Sequence, residues 1–472
     1  MSMRKIWTFL LMASFLMPAV AQQVQPLPPV PSAPQVAWHN MEYYWFTHFG
    51  PNTFTDKEWG HGDEPEDIFN PTQLDCRQWA RTAKAAGAKG IIITAKHHDG
   101  FCLWPSKYST HTIRESKWRN GKGDILKELS QACKEYGLKF GVYLSPWDRN
   151  HPKYGTPAYN EVFVNMMKEI FANYGPIWEF WWDGANGEGP NGKKQEYDWP
   201  LFRKTIKKLS PNTVVFSDVG PQVRWVGNES GVAGTTNWNL LNISGFTAGA
   251  GAPSTDTLNS GNMYGEKWIP AECDVSIRPG WFYHKEEDDK VKSPETLFNL
   301  YLKSVGRGST LLLNVPPDRR GLINEHDSAS LIGFRKLRET NFKTNLFASP
   351  SAVVKNNAVS KRITTLTDGK QNTFEQLKSV TVQLKSPVTI NTIVLQEPIQ
   401  MGQRVIKFKI ELQDANGATL KEINGTTIGR KRILTFMPVA AKKVEVIIED
   451  SKAVPLISEI AAYNINDQLI EQ

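Results

Sequence analysis

The chain predicts a (β/α)8-type barrel followed by a C-terminal antiparallel β-sandwich, and three features carry that expectation. From Trp38 to about Phe347, short apolar strands alternate with amphipathic helices, the order that builds parallel strands joined by crossover helices. Each of those strands runs into a His, Asp, Glu, Tyr or Asn, as expected where a barrel mouth collects polar side chains at its strand C-termini. Beyond Phe347 the helical period vanishes and apolar residues recur at every second position. Length agrees, because a single core stops growing at roughly 250 to 300 residues and this chain has 472.

The N-terminus reads as a signal peptide over residues 1–21: Arg4 and Lys5, an apolar run from Ile6 to Met17, then Ala19-Val20-Ala21 as a small-residue cleavage site. Export to the periplasm or the extracellular space is expected. No Cys follows the cleavage site, and no other stretch reaches the roughly 18 apolar residues of a membrane span, so no membrane anchor is expected. Residues 22–37 are proline-rich and suit an extended lead-in.

The barrel elements follow in order. The first strand is expected at Tyr43 to His48, then a helix with Cys76, Trp79, Ala80 and Ala83 on one face and Gly87 as its stop. Gly90-Ile-Ile-Ile-Thr94 is a continuous apolar run of the doubly buried kind and delivers Lys96-His97-His98-Asp99. A helix from Asp124, with Leu126, Leu129, Cys133 and Tyr136 inward and Gly137 closing it, leads to strand Phe140 to Leu144. Another, with Val162, Met166 and Ile170 inward, leads to strand Ile177 to Trp182, which ends on Asp183-Gly184. Helix Leu201 to Leu209 precedes strand Val214 to Ser217; strand Trp268 to Ala271 comes later, and a helix opened by Ser293-Pro294 leads to strand Ser309 to Asn314. Leu331, Phe334 and Leu337 mark a last helix. A doubly wound sheet is the competing plan, but Thr47-His48-Phe49-Gly50-Pro51 is not a glycine-rich phosphate loop.

The barrel is expected over 38–347 and the sandwich over 348–472. In the latter Val380, Val382 and Leu384 alternate, as do Ile406, Phe408, Ile410 and Leu412, and Val444, Val446 and Ile448. The segment Leu456 to Tyr463 resembles the last strand of discoidin-like, galactose-binding-like modules.

Composition narrows the function. With 40% hydrophobic and 22% charged residues the chain reads as an ordinary soluble globular protein. The net charge of +7 comes without long runs of Lys or Arg, which argues against nucleic acid or an anionic membrane as partner. Cys76, Cys102, Cys133 and Cys273 lack metal-ligand spacing and read as buried free thiols. The sixteen Trp favour a sugar ligand, since indole faces grip the apolar faces of sugar rings, although most Trp in a large domain are core. Nothing in the sequence sets an oligomeric state.

Glycoside hydrolysis needs two carboxyl groups flanking the scissile bond. Asp183 follows an apolar aromatic strand and should emerge at the barrel mouth; a turn or capping Asp is the alternative. His97 and His98 end a buried strand, and strand alternation sends them to opposite sides, which disfavours a shared metal. With His48 they would supply the donors and acceptors that a polyol needs. Tyr143 is either core or pocket, and Glu58, Trp59 and Trp104 fall in βα loops, where a tryptophan either packs or forms a sugar platform.

At these residues the chain resembles the α-L-fucosidases of glycoside hydrolase family 29. The resemblance covers Trp38 to about Asn341 through Trp45-Phe-Thr-His-Phe-Gly50, Glu58-Trp59, Thr94-Ala-Lys-His-His-Asp-Gly-Phe101, Gly141-Val-Tyr-Leu-Ser145, Phe180-Trp-Trp-Asp-Gly184 and Leu312-Leu-Asn-Val-Pro316. It implies Asp183 as nucleophile, with His48, Glu58, Trp59, His97, His98 and Tyr143 around an L-fucose whose methyl packs on Trp59 or Trp281. Arg224-Trp-Val-Gly-Asn-Glu229 resembles the subgroup selective for α-1,3 and α-1,4 fucosyl branches; it points to Glu229 as acid/base and adds Trp225 to the substrate contacts. Glu272, expected at the end of its strand, is the rival, and Glu188 is third.

What the resemblance implies is a retaining exo-fucosidase acting on fucosylated, branched Lewis-type oligosaccharides or glycoconjugates, needing neither metal nor organic cofactor. Its two carboxyls should stand roughly 5 to 5.5 Å apart. A broad-specificity fucosidase, a barrel glycosidase for another sugar such as an α-galactoside, and a non-catalytic carbohydrate-binding barrel are the alternatives.

Overall fold

Eight strands close into a parallel barrel in the computed structural model, which describes residues 24–247, 251–358 and 361–470. They are β1 (Tyr43–Thr47), β2 (Gly90–Lys96), β3 (Lys139–Leu144), β4 (Glu179–Trp181), β5 (Val214–Ser217), β6 (Val223–Trp225), β7 (Ala271–Ser276) and β8 (Thr310–Asn314). Each pairs in parallel with its neighbours in sequence, and β8 closes on β1. The expected fold class is therefore the observed one, with two changes inside it. The β6 strand is additional: three residues with an arginine in the middle carry no periodic apolar signal, and no helix separates it from β5. The strand expected at Trp268 to Ala271 divides at Pro270, which has no N–H to give a ladder. Lys267–Trp268 pairs with Leu240–Leu241 in a separate two-stranded sheet, and the barrel strand begins only at Ala271.

Strand alternation sorts the side chains. Tyr43, Trp45, Ile91, Ile93, Val142, Phe180, Trp182, Leu311 and Leu313 join the core shared with the surrounding helices. Tyr44, Phe46, Ile92, Tyr143, Trp181, Val214, Phe216, Val223 and Leu312 fill the barrel. On β1, β4 and β7 the inward positions continue upward as Tyr44, Phe46 and His48; Glu179, Trp181 and Asp183; and Glu272, Asp274 and Ser276.

The outer helices form where their apolar spacing placed them: Cys76–Ala85, Ile125–Tyr136, Ala158–Asn173, Trp199–Leu209, Pro294–Lys303 and Glu325–Asn341. Asp75, Asp124, Asp198, Ser293 and Asn324 cap five of them by accepting backbone N–H groups of the first turn. Gly137 ends the second in the left-handed conformation, at φ 65°, that a side chain would strain. All four cysteines are buried free thiols.

The lead-in is not extended throughout. Ser32 and Gln35 form a capping box and Ala33–His39 is helical. This helix carries Trp38 to the N-terminal end of the barrel, where its indole N–H donates to Glu179 Oε2 at 3.0 Å. The segment read as a signal peptide lies outside the described residues.

The C-terminal part is one seven-stranded antiparallel sheet curled around its own core of Val380, Val382, Leu384, Ile393, Phe408, Ile410, Val444 and Val446, among others. Its long strand Ser379–Gln396 breaks register after Gln383 and again after Ile390. Its first half pairs with Ala352–Asn356 and its second with Glu459–Tyr463. An irregularity between Val405 and Phe408 turns Val405 inward and leaves Ile406, expected inside, half-buried. The sheet docks on the barrel through the Arg430 guanidinium, which reaches Asn40 Oδ1 at 2.8 Å and Glu42 Oε1 at 3.3 Å. No helix among the described residues is long and apolar enough to cross a membrane.

Candidate active site

Asp183 stands one step beyond Trp181 on the inward side of β4, so its carboxylate reaches the mouth of the barrel. Oδ2 accepts the Tyr143 hydroxyl at 2.9 Å, and Oδ1 accepts the Ala185 amide at 2.8 Å. His98 Nε2 lies 3.6 Å from Oδ2, and the Asp183 side chain retains 26% exposure, enough to meet a ligand. Burial, reinforced by the Asp183 charge, pushes the Tyr143 phenol well above its usual range. It therefore stays a donor.

The three histidines gather around this carboxylate. His48 Nδ1 lies 2.8 Å from Asn314 Oδ1, while Asn314 Nδ2 donates to Ser276 Oγ and to the Trp281 carbonyl. Asn314 thus presents an oxygen to His48, which must carry its proton on Nδ1 and leave Nε2 as an acceptor. The same logic holds at His98. Ser145 Oγ gives its hydrogen to the Trp147 carbonyl, so it accepts from His98 Nδ1 at 2.8 Å and again leaves Nε2 free to accept. Burial lowers both imidazoles to about 4, which keeps them neutral. His97 is held well below its usual value by burial and by its histidine neighbours, and it stacks on Tyr143.

His97 and His98 do not diverge as alternation implied. The strand ends at Lys96, and the two rings lie 4.1 Å apart. Lys96 itself is buried, with Nζ 3.1 Å from Asp148 Oδ2, which ties the ends of β2 and β3 together. Asp148 follows Trp147, a wall residue not singled out in the sequence. The Trp147 ring packs on His98 at 4.8 Å and meets Trp59 edge-on at 5.5 Å. Trp59 is 55% exposed at the rim and also faces His98, while Trp104 is fully buried in the outer core and is no sugar platform.

The opposite wall comes from β6, β7 and the β1 loop. Trp281 packs on His48 at 5.1 Å and donates its indole N–H to Glu229 Oε2 at 3.3 Å. Glu229 is exposed beyond β6, on the same side of the mouth. Both oxygens of Glu58 are engaged by the loop after β7: Oε2 accepts Trp281 N at 2.8 Å, and Oε1 accepts Phe282 N at 3.2 Å and meets His284 Nε2 at 2.6 Å. Glu58 is thus first a clamp, with one lone pair of Oε2 left for a ligand. Trp225 is held by Asp274 Oδ1 at 2.9 Å. Asp274 is a fourth carboxyl here, after Asp183, Glu229 and Glu58, and it escapes the sequence reading because the strand expected there starts too early. Burial, then the charges of Glu229 and Glu272, hold its pKa well above the carboxylate range.

The rivals for the acid/base role sit elsewhere. Glu272 is not at the end of its strand but second in β7, fully buried at the floor of the barrel, where it accepts from Tyr44 OH and from Trp181 Nε1 at 2.8 Å. It pairs with Glu179, whose carboxyl is driven up by burial and by the Glu272 charge and so holds the proton. Glu188 is exposed, and its carbonyl accepts the Trp147 indole.

Comparisons with known proteins agree with this geometry. The family model described as alpha-L-fucosidase matches residues 29–336. An alpha-L-fucosidase 1 from Arabidopsis thaliana is 41% identical over 453 residues, covering 93% of this chain and 88% of that one. A crystal structure of a glycoside hydrolase 29 family member from an unknown rumen bacterium superimposes with a TM-score of 0.84 at 41% identity, over 94% of this chain and 78% of the other. A Ruminococcus gnavus GH29 fucosidase in complex with fucose does so with a TM-score of 0.86 at 30% identity, over 96% and 98%. With the barrel, the mouth carboxylate and the histidine cluster in place, these likenesses establish that the chain belongs to the α-L-fucosidase family of glycoside hydrolases, family 29.

Proposed function

We propose that the protein is a retaining exo-α-L-fucosidase that removes terminal α-1,3- or α-1,4-linked L-fucose from branched oligosaccharides or glycoconjugates after export from the cell. The observation that carries the reading is the position of Asp183. It is a partly exposed carboxylate, oriented by two donors, among imidazoles whose free Nε2 atoms can accept sugar hydroxyls. Asp183 attacks the anomeric carbon and forms the C1–O bond of a fucosyl-enzyme as the glycosidic C1–O bond breaks. Glu229 gives its proton to the departing oxygen, then takes one from water, which attacks the same carbon and releases fucose. The indole faces of Trp59 and Trp281 offer apolar walls to the fucose methyl.

The test is turnover of an aryl α-L-fucoside by the wild type and by Asp183→Ala. Loss of turnover with retained fucose binding supports the reading, and unchanged turnover overturns it. The linkage preference rests on the Arg224-to-Glu229 motif. Faster release from α-1,3/1,4-branched trisaccharides than from α-1,2-linked ones supports it, and equal rates refute it.

A further inference from the structure

His284, in the loop after β7, lies between two carboxylates. Its Nδ1 is 2.9 Å from Asp56 Oδ1, and its Nε2 is 2.6 Å from Glu58 Oε1. Neither partner has a hydrogen to give when ionised, and a neutral imidazole has only one N–H, so both contacts are satisfied only by the imidazolium. Burial works against the charged ring, but the hydrogen bonds to Glu58 and Asp56, with the charges of Glu58 and Glu287, outweigh it and raise its pKa above 6.5. Other charges face the group as well: Arg319 Nη2 reaches Asp56 at 3.5 Å, and Glu287 accepts the Gly280 amide at 3.2 Å. Arg278 bonds the His284 carbonyl.

The surroundings are shaped for this contact. Asp56 closes the short helix Pro51–Thr55 as its left-handed C-cap, at φ 62°, with its amide donated to the Asn52 carbonyl, which fixes where its carboxylate starts. A Cβ on Gly280 would fall 2.6 Å from Glu58 Oε1 and 2.9 Å from the His284 ring, so only glycine lets the pair close. Glu58, gripped by His284, accepts the backbone amides of Trp281 and Phe282, and the Trp281 indole in turn donates to Glu229. An unbroken chain of contacts runs from Asp56 to Glu229.

We propose that His284 is a positioning residue for proton transfer: clamped by Asp56 and Glu58, it fixes the segment whose indole holds Glu229 against the leaving oxygen. The inference rests on Glu229 being the acid/base. A misplacement of about 1 Å can cost on the order of a hundredfold in rate, so the link is measurable.

The experiment is a leaving-group series: kcat/KM for aryl α-L-fucosides whose phenols span a range of pKa, with wild type, His284→Asn, Gly280→Ala, Glu229→Gln and the His284→Asn/Glu229→Gln double variant. Glu229→Gln should steepen the dependence on phenol pKa, because poor leaving groups need the proton. His284→Asn should steepen it too, losing about tenfold or more on the poorest leaving group and less than about threefold on the best, and should add nothing in the Glu229→Gln background. Gly280→Ala, which keeps every functional group and only pries the pair apart, should reproduce the pattern if His284→Asn folds poorly. A parallel loss on all leaving groups, or none, beside a steepened Glu229→Gln profile, overturns the role of His284 and leaves that of Glu229. A Glu229→Gln profile parallel to wild type overturns both.

Discussion

The Tyr143 hydroxyl donates to Asp183 Oδ2 at 2.9 Å, across the gap between the ends of β3 and β4. The bond fixes one oxygen of the carboxylate while the Ala185 amide fixes the other, which is the pre-orientation that the proposed nucleophile needs. Tyr143→Phe removes that donor and little else, since the ring packs as before. Its expected effect is a fall in kcat of about 10- to 100-fold with a melting temperature near that of the wild type. Steady-state kinetics with an aryl fucoside and a thermal melt check it.

Asn314 sets the protonation pattern of His48. Asn314→Asp would offer an anionic oxygen in place of the amide and draw His48 toward the imidazolium, turning Nε2 from acceptor into donor. Weaker fucose binding, by about tenfold, is expected from titration calorimetry.

The histidines should titrate on opposite sides of 6.5. Ring nitrogen shifts of a 15N-labelled sample should show His48 and His98 near 4 and His284 above 6.5. For His48 and His98 the folded value lies below the unfolded one. As pH falls from about 6.5 to 4, the unfolded chain takes up protons that the folded chain refuses, and stability is lost over that window. Each imidazole costs about 1.4 kcal/mol per unit of pH there.

Glu229 and Glu272 separate cleanly by substitution. Glu229→Gln should lower kcat/KM for a fucosyl trisaccharide by about 100- to 10,000-fold while sparing kcat/KM for a dinitrophenyl fucoside, whose phenolate leaves without a proton, although kcat on the latter falls because the fucosyl-enzyme loses its base. Glu272→Gln keeps its place in the buried pair with Glu179 and should leave both substrates within a few-fold of wild type. Equal discrimination by Glu272→Gln would shift the acid/base role to the barrel floor.

Much of this was legible in the sequence because the barrel obeys two periods. The helices announced themselves through residues such as Trp79, Leu129 and Phe334, and the mouth through His48, Tyr143 and Asp183, which end apolar runs. What was lost lay where the period is too short to count or is broken by a single residue. Val223-Arg224-Trp225 is three residues long, and Pro270 moved β7 onto Ala271. That shift hid the inward series Glu272, Asp274 and Ser276, and it put Glu272 at the mouth instead of the floor. His97 clusters with His98 because the strand, expected over Gly90 to Thr94, runs on only to Lys96 and leaves both histidines beyond its end, where alternation no longer applies. His284 and Asn314 act through partners hundreds of residues away, and only tertiary structure brings them together.

The central claim is that Asp183 is the nucleophile. Treating the protein with a 2-deoxy-2-fluoro-α-L-fucosyl fluoride, then measuring intact mass and sequencing the labelled peptide, tests it most directly. The expected result is one fluorofucosyl adduct on Asp183, absent from Asp183→Ala. An adduct on another residue, or an Asp183→Ala protein that still turns over, would contradict it.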